Sequence, residues 1–409
     1  MKNNACMNCG AQAPTPFIDL GEQPNGNHFI SKFDFATEPK FPFRMAVCEN
    51  CWQVQIEEFP PVELMFSNHP YITGYNMPVI DHFYRLVDRT MALWALKPGD
   101  LVVDIGANDG TLLNIFREKG LAVLGVDPGK LTGPLCRAKG IPVCETFWDS
   151  SSAEHLVKLG VRPDLITATA VFYHIADLHD FIAGVRRAMG PSTVFLAQCV
   201  YLKDVLERLQ FDHFYHEHTL IHAIAPLQKA FARHGMKLLH VDHYEVHGGS
   251  FVLYVGLEDC EWRATPTVED AIRKEKEAGL QRMQTYLDFT KKVEANREQL
   301  VTLLRDLKAQ GKVVHALGAP LKGSTLLNYC GIGPDLVPLA TEVNPFKIGR
   351  FTPGTHIPIV DEKEPREEPD YYLLLSWNFL NFFKEKYADF LKRGGGLILP
   401  HPEVRCLHG

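Results

Sequence analysis

The sequence predicts an α/β protein built in series: a small metal-stapled head, a doubly wound parallel sheet, and a second, smaller α/β unit. Two C-x-x-C pairs near the start predict the head. Two stretches, from Leu101 and from Lys312, predict the sheets, because in each an apolar strand runs into a glycine turn that opens a helix. With 409 residues, 46% hydrophobic and 22% charged, the chain has globular composition and room for two or three domains. A formal charge of -7 leaves no basic footprint for nucleic acid, and no polybasic run suits an anionic membrane. There is no apolar run of about eighteen residues, and "MKNNACMNCG" lacks the apolar core of a secretory signal, so a cytoplasmic protein acting on small molecules is expected.

The head is expected over residues 1–75. Cys6 and Cys9 form one pair and Cys48 and Cys51 the other, separated by a Pro- and Phe-rich segment. Two such knuckles can place four thiolates about 2.3 Å from Zn²⁺, and with all four positions closed the ion serves folding rather than catalysis. The remaining cysteines, Cys136, Cys144, Cys199, Cys260, Cys330 and Cys406, are scattered in apolar surroundings and read mostly as small buried hydrophobes.

A core unit is expected over 76–262. It opens with a helical stretch, "MPVIDHFYRLVDRTMALWAL", whose apolar residues recur at three- and four-residue steps. "LVVDIGANDGTLL" then gives a strand ending at Asp104, a turn with Gly106, Asn108 and Gly110, and a helix. Asn108 stands where a dinucleotide fingerprint has its second glycine, so the turn is not a dinucleotide cradle. The next strand, "LAVLGVD", ends at Asp127, about twenty residues on, where a carboxylate can accept hydrogen bonds from a ribose diol. "PDLITATAVFYHI" runs into a polar loop at His174, and two strand-like runs joined by "HGG" close the unit. This ending, with the D-x-G-x-x-x-G turn, resembles the class I S-adenosylmethionine-dependent methyltransferases, which implies that Asp104, Gly106, Asn108, Gly110, Asp127 and His174 hold that cofactor.

"FDHFYHEHT", Phe211 to Thr219, packs three histidines, two acids and a tyrosine into one segment. It admits three readings: a metal site on His213, His216 and His218, a structural polar network, or general-base catalysis by an imidazole whose ordinary pKa is near 6.5. With "HGGS" (His247 to Ser250), "GAPLKGSTLLNYCGI", "NPFKIGRFTPGTHIPI" and "LLLSWNF" following in order, nearly the whole chain resembles the sugar-nucleotide C-methyltransferases, including the NDP-4-keto-2,6-dideoxyhexose 3-C-methyltransferases. The resemblance implies that His218 takes the proton from the carbon beside a ketone and that Tyr215 and Glu217 position the base or the sugar. It also implies that the tyrosine-bearing loop "HPYITGYN" covers the acceptor, with Tyr71 or Tyr75 donating to the enolate oxygen. The acceptor is then a nucleotide-linked 4-keto deoxysugar, and His247 belongs to its site.

Residues 263–309 are expected to form a helical connector whose charges make a solvated face. From 310 to 409 a second Rossmann-like α/β unit is expected, with the turn "GAPLKGST" opening a helix. Outward-facing N–H groups there suit a diphosphate, and Lys322 adds charge. Gly323, Ser324, Asn344 and Lys347 are further candidates, with Arg350 behind them. The chain departs from the family pattern at Thr169 and Ala170, where asparagines are common, and at Val252, where an arginine is frequent. O- or N-methyl transfer to another nucleotide-linked or small metabolite stays open as an alternative, as does a non-catalytic ligand-binding relative. The sequence carries no signal of oligomeric state.

Overall fold

A computed structural model describes residues 4–60 and 71–409; residues 1–3 and 61–70 of the expected head, with His69 and Pro70 of the tyrosine-bearing loop, lie outside the described residues. Among the described residues the strands form three sheets. The head sheet runs in the order Thr15–Pro24, Lys40–Val47, Val54–Ile56 and Leu220–Ile221. Its last strand comes from inside the span expected for the core unit, so head and core share a sheet.

The seven-stranded core sheet has the order Met236–Tyr244, Ser250–Leu257, Val194–Val200, Leu165–Thr169, Leu101–Ile105, Ala122–Val126 and Val143–Cys144. Its last five strands are parallel, whereas Met236–Tyr244 and Ser250–Leu257 pair antiparallel at one edge. Leu165, Ile166, Phe195, Leu196 and Ala197 are fully buried, as expected for strands covered by helices on both faces.

The third sheet has the order Ile359–Asp361, Ala340–Glu342, Val314–Leu317, Tyr371–Leu374, Gly396–Leu399 and Arg405–Leu407, parallel except for its last strand. In both parallel sheets the chain leaves the first strand in one direction and returns on the other side. Such a reversal opens a crevice at the carboxyl ends of the strands, where ligands bind.

Two helices, Pro266–Glu277 and Met283–Ala309, join these units. Tyr286, Phe289, Val293, Leu300 and Leu304 recur at helical spacing along the longer one and are buried. One charge departs from the expected solvated face. Glu275 is buried and accepts the N–H groups of Ile224 and Ala225 at 2.6 and 3.0 Å and the Tyr201 hydroxyl at 2.9 Å, so it caps the helix Ile224–Ala232.

Candidate active site

The four head cysteines converge. Cys6 Sγ lies 3.5 Å from Cys51 Sγ and Cys9 Sγ 3.5 Å from Cys48 Sγ, and all four sulfurs lie within 4.8 Å of one another. A tetrahedron with about 2.3 Å metal–sulfur bonds has edges of about 3.8 Å, so the donor set fits Zn²⁺. Among the described residues this is the one group of His, Cys or acidic side chains with that convergence.

In the core turn, Gly106 has φ of +73°, and a Cβ there would lie 2.2 Å from Val171 Cγ2. Only glycine fits, which leaves backbone free to approach a ligand. The N–H of Asn108 donates to Asp127 Oδ2 at 2.8 Å, while Gly129 N–H and the Thr132 hydroxyl donate to Oδ1 at 2.8 and 2.7 Å. A fixed carboxylate thus faces the cavity beside the turn, as a ribose diol requires. Asp104, beneath it, accepts the Thr167 hydroxyl at 2.6 Å, and burial pushes its carboxyl up to about 7. Asn108 also clamps the tyrosine loop: its Nδ2 donates to the Tyr71 carbonyl at 3.0 Å, and its Oδ1 accepts the Thr73 N–H at 2.9 Å.

Asp104, Gly106, Asn108, Asp127 and His174 all line one cavity of about 880 Å³. Gly110 does not. A Cβ there would meet Ile141 and Cys136 at 2.8 and 2.9 Å, so this glycine serves packing at the start of the helix Thr111–Glu118.

The same cavity reaches His213, Tyr215, Glu217, His218 and His247. His218 Nδ1 lies 2.7 Å from the His213 carbonyl, which can only accept, so Nδ1 carries the hydrogen. Its Nε2 is therefore a lone pair, and the Tyr215 hydroxyl donates to it. Burial holds the His218 imidazole well below its usual range and the Tyr215 phenol well above its own. In the resting dyad the hydrogen stays on oxygen and the imidazole is neutral.

His213 Nε2 donates to the His247 carbonyl at 2.9 Å, and His247 holds a left-handed φ of +57°. His216 turns the other way, its Nε2 donating to the Pro42 carbonyl at 3.3 Å. The three histidines therefore do not converge on a metal.

Tyr71 and Tyr75 both line the cavity. Desolvation, with the Asp109 carboxylate nearby, lifts the Tyr71 phenol to about 12.

On the far wall stand Lys322, Asn344 and Lys347. The Lys322 ammonium sits 4.0 Å over the Trp377 ring and donates to Asn378 Oδ1, and burial lowers its pKa to about 8. Lys347 Nζ donates to the Ala319 carbonyl at 2.8 Å and pairs with Glu342 at 3.7 Å. Gly323 and Ser324 do not reach the cavity. The helix Leu321–Cys330 turns Gly323 against Leu375, where a Cβ would lie at 3.0 Å, and Ser324 toward the Pro353 carbonyl. Arg350 is likewise engaged elsewhere, on the Phe29 carbonyl at 3.3 Å.

Among the lining residues that the sequence reading passed over are Asn27, Phe147, Gln198 and Glu342. Glu342 had a legible signal, since it ends the strand that follows the Gly318 turn, as Asp127 does in the core. Its Oε2 accepts the Ala319 N–H at 3.1 Å, and its Oε1 accepts those of Val343 and Asn344 at 2.8 and 3.1 Å.

Three family models match the chain. Residues 6–66 match the family model "Putative zinc binding domain", 80–241 a methyltransferase domain, and 245–402 a C-methyltransferase C-terminal domain. The C-methyltransferase NovU of Streptomyces niveus is 31% identical over 98% of this chain and 96% of its own length. A ubiquinone biosynthesis O-methyltransferase of Methylobacterium nodulans is 28% identical, but over 34% of this chain and 56% of its own. A structure of magnesium protoporphyrin IX methyltransferase from Synechocystis PCC 6803 with bound SAM covers 42% of this chain and 79% of its own, at 16% identity and a TM-score of 0.31. Similarity to NovU runs from the cysteine head through the last sheet, and the chain belongs to the C-methyltransferase family, an S-adenosylmethionine-dependent enzyme with a structural zinc in its head.

Proposed function

We propose that this C-methyltransferase acts on the carbon beside the ketone of a nucleotide-linked 4-keto deoxysugar, with His218 as the base. One observation carries the proposal: a single cavity runs from the Asp127 turn, past the Tyr215–His218 dyad, to the turn bearing Glu342 and Lys347. About 880 Å³ lies near the top of the range for one small-molecule pocket, which suits two ligands meeting end to end. Glu342 is in position to accept from the nucleoside ribose, Lys347 and Lys322 to face the diphosphate, and the dyad to face the sugar.

S-adenosylmethionine supplies an electrophilic methyl group on a sulfonium. His218 Nε2 takes the α-hydrogen of the ketosugar, and the Tyr215 hydroxyl gives up that lone pair as it does so. Tyr215 is then a donor for the forming enolate oxygen, with Tyr71 or Tyr75, both on the cavity, as a second. The carbanionic carbon bonds to the methyl carbon as the carbon–sulfur bond breaks, leaving S-adenosylhomocysteine, and the imidazolium returns its proton to solvent. Alignment of carbon and methyl supplies much of the rate. The low pKa of His218 keeps the base neutral at physiological pH, and the imidazolium forms only beside a new negative charge. A cytoplasmic location goes with this reading, since a reducing compartment keeps the thiols available for zinc.

The test is methyl transfer from labelled S-adenosylmethionine to a panel of dTDP- and UDP-linked 4-keto deoxysugars, with carbon NMR of the product. His218→Ala should lower turnover by roughly 10²-fold or more and abolish deuterium exchange at the α-carbon while cofactor affinity holds. Wild-type turnover in that variant would reject the base, and no transfer across the panel would reject the acceptor class.

A further inference from the structure

The metal-stapled head does more than adjoin the core. Its strand Val54–Ile56 pairs antiparallel with Leu220–Ile221, which directly follows the Tyr215–His218 segment. Ile56 N–H donates to the Thr219 carbonyl at 2.9 Å, and Gln53 Nε2 to that of Ile221 at 3.1 Å. His216 enters the head, its ring edge-on to Phe43 at 4.9 Å, while its neighbours Tyr215 and Glu217 face the cavity. Among the described residues before position 61, the head also sends Asn27 to the cavity wall. Asn27 Nδ2 donates to both carboxylate oxygens of Glu217, at 3.0 and 3.1 Å.

The loop around Asn27 is held from both sides. Its own N–H donates to Asn25 Oδ1 at 3.1 Å, and Phe351 N–H donates to the Ile30 carbonyl at 3.0 Å, tying the loop to the last unit. Glu217 itself is 2% exposed. A buried carboxylate needs donors or it will not hold its charge and orientation. An arginine there would fill the lone pairs in a fork and cancel the charge. A neutral amide does neither, and the Glu217 it holds lines the cavity.

We infer that Asn27 is a positioning residue, aiming the Glu217 carboxylate at the acceptor, and that the head is thereby a third wall of the acceptor site. The inference rests on the proposed reading in which Glu217 faces the ketosugar. Its contribution is separable from packing because asparagine and aspartate are nearly isosteric. A packing role predicts that Asn27→Asp is milder than Asn27→Ala. A positioning role predicts the reverse, because a second carboxylate would face the first.

The experiment uses the full chain with zinc retained, S-adenosylmethionine and a dTDP-linked 4-keto-2,6-dideoxyhexose. For Asn27→Ala, kcat/KM should fall by roughly 10-fold, as expected for losing one donor to a charged group. For Asn27→Asp the fall should be larger. In both, cofactor affinity by calorimetry and zinc content should match wild type. Wild-type kcat/KM in Asn27→Ala, an Asn27→Asp variant milder than Asn27→Ala, or loss of zinc or of cofactor binding in step with activity would overturn the assignment. Glu217→Gln separates the two levels. If it transfers methyl like wild type, the placement of Glu217 in the acceptor site fails, and the role of Asn27 with it; if it is impaired while Asn27→Ala is not, only the role of Asn27 fails.

Discussion

The core turn and the turn of the last sheet are built alike in backbone and differ in charge. In the first, Gly106 at φ +73° follows a strand, and Asp127, ending the next strand, accepts an N–H from the turn and one from two residues beyond itself. In the second, Gly318 at φ +81° follows a strand, and Glu342 accepts an N–H from the turn and those of Val343 and Asn344. Around the first, the lining carries Asp104, Asp127, Asp177 and Asp180 with Lys130. Around the second it carries Lys322, Lys347 and Lys386 with Glu342 and Glu362. In the proposed function, each turn supplies a carboxylate for a ribose diol, and the differing charge selects what is attached to it. A cofactor with a cationic sulfonium and no phosphate suits the acidic wall, and a nucleoside diphosphate suits the basic one.

The sharpest way to break this comparison is to remove each carboxylate in turn. Asp127→Ala should weaken S-adenosylmethionine by roughly 10- to 100-fold, the cost of charge-assisted hydrogen bonds, and leave the KM of a nucleotide-linked acceptor nearly unchanged. Calorimetry with the cofactor alone checks it, and unchanged affinity would remove Asp127 from the cofactor site. The mirror variant, Glu342→Ala, should raise the acceptor KM by roughly 10-fold and leave cofactor affinity alone. The smaller figure follows because, in the proposed function, Lys347 and Lys322 still face the diphosphate. If Glu342→Ala weakened the cofactor instead, the two turns would not divide the ligands.

The same pair of turns shows how far the sequence could be read. Asp127 was legible because a strand, a glycine turn and a strand-ending acid recur at a spacing fixed by the α/β unit. Glu342 obeys that rule, yet the residues next to Lys322 drew attention instead. Adjacency in sequence misled there: along the helix Leu321–Cys330 successive side chains point about 100° apart, so Lys322 meets the cavity while Gly323 and Ser324 face inward. Asn27 had no legible signal, because its loop lacks periodicity and its partner Glu217 is distant in sequence. Leu220–Ile221 is too short a strand to show alternation, so the sheet shared by head and core could emerge only from pairing. The thiolate head was readable because two C-x-x-C pairs have few other uses, whereas the residues from Tyr215 to His218 admitted three readings and took a role only from the resemblance.

The smallest expected effect sharpens the basic wall alone. Burial lowers the Lys322 ammonium from its usual range to about 8, with Asp212 opposing the shift. Lys322 is thus charged below pH 8 and loses its charge as pH rises through that value. If its charge serves the diphosphate, the acceptor KM should be lowest below pH 8 and rise a few-fold by about pH 9.5, while cofactor affinity, resting on a carboxylate, stays level. A bound dianion would hold the proton on Lys322 and push the rise toward higher pH, so the profile is best read on KM rather than kcat. Lys322→Arg, which keeps its charge and its stack over Trp377, should flatten the alkaline limb at low KM. Lys322→Met should flatten it at high KM. A wild-type KM that stays level from pH 7 to 9.5 would mean that the Lys322 charge is not used by the acceptor, and the contrast between the two walls would then rest on Lys347 and Lys386.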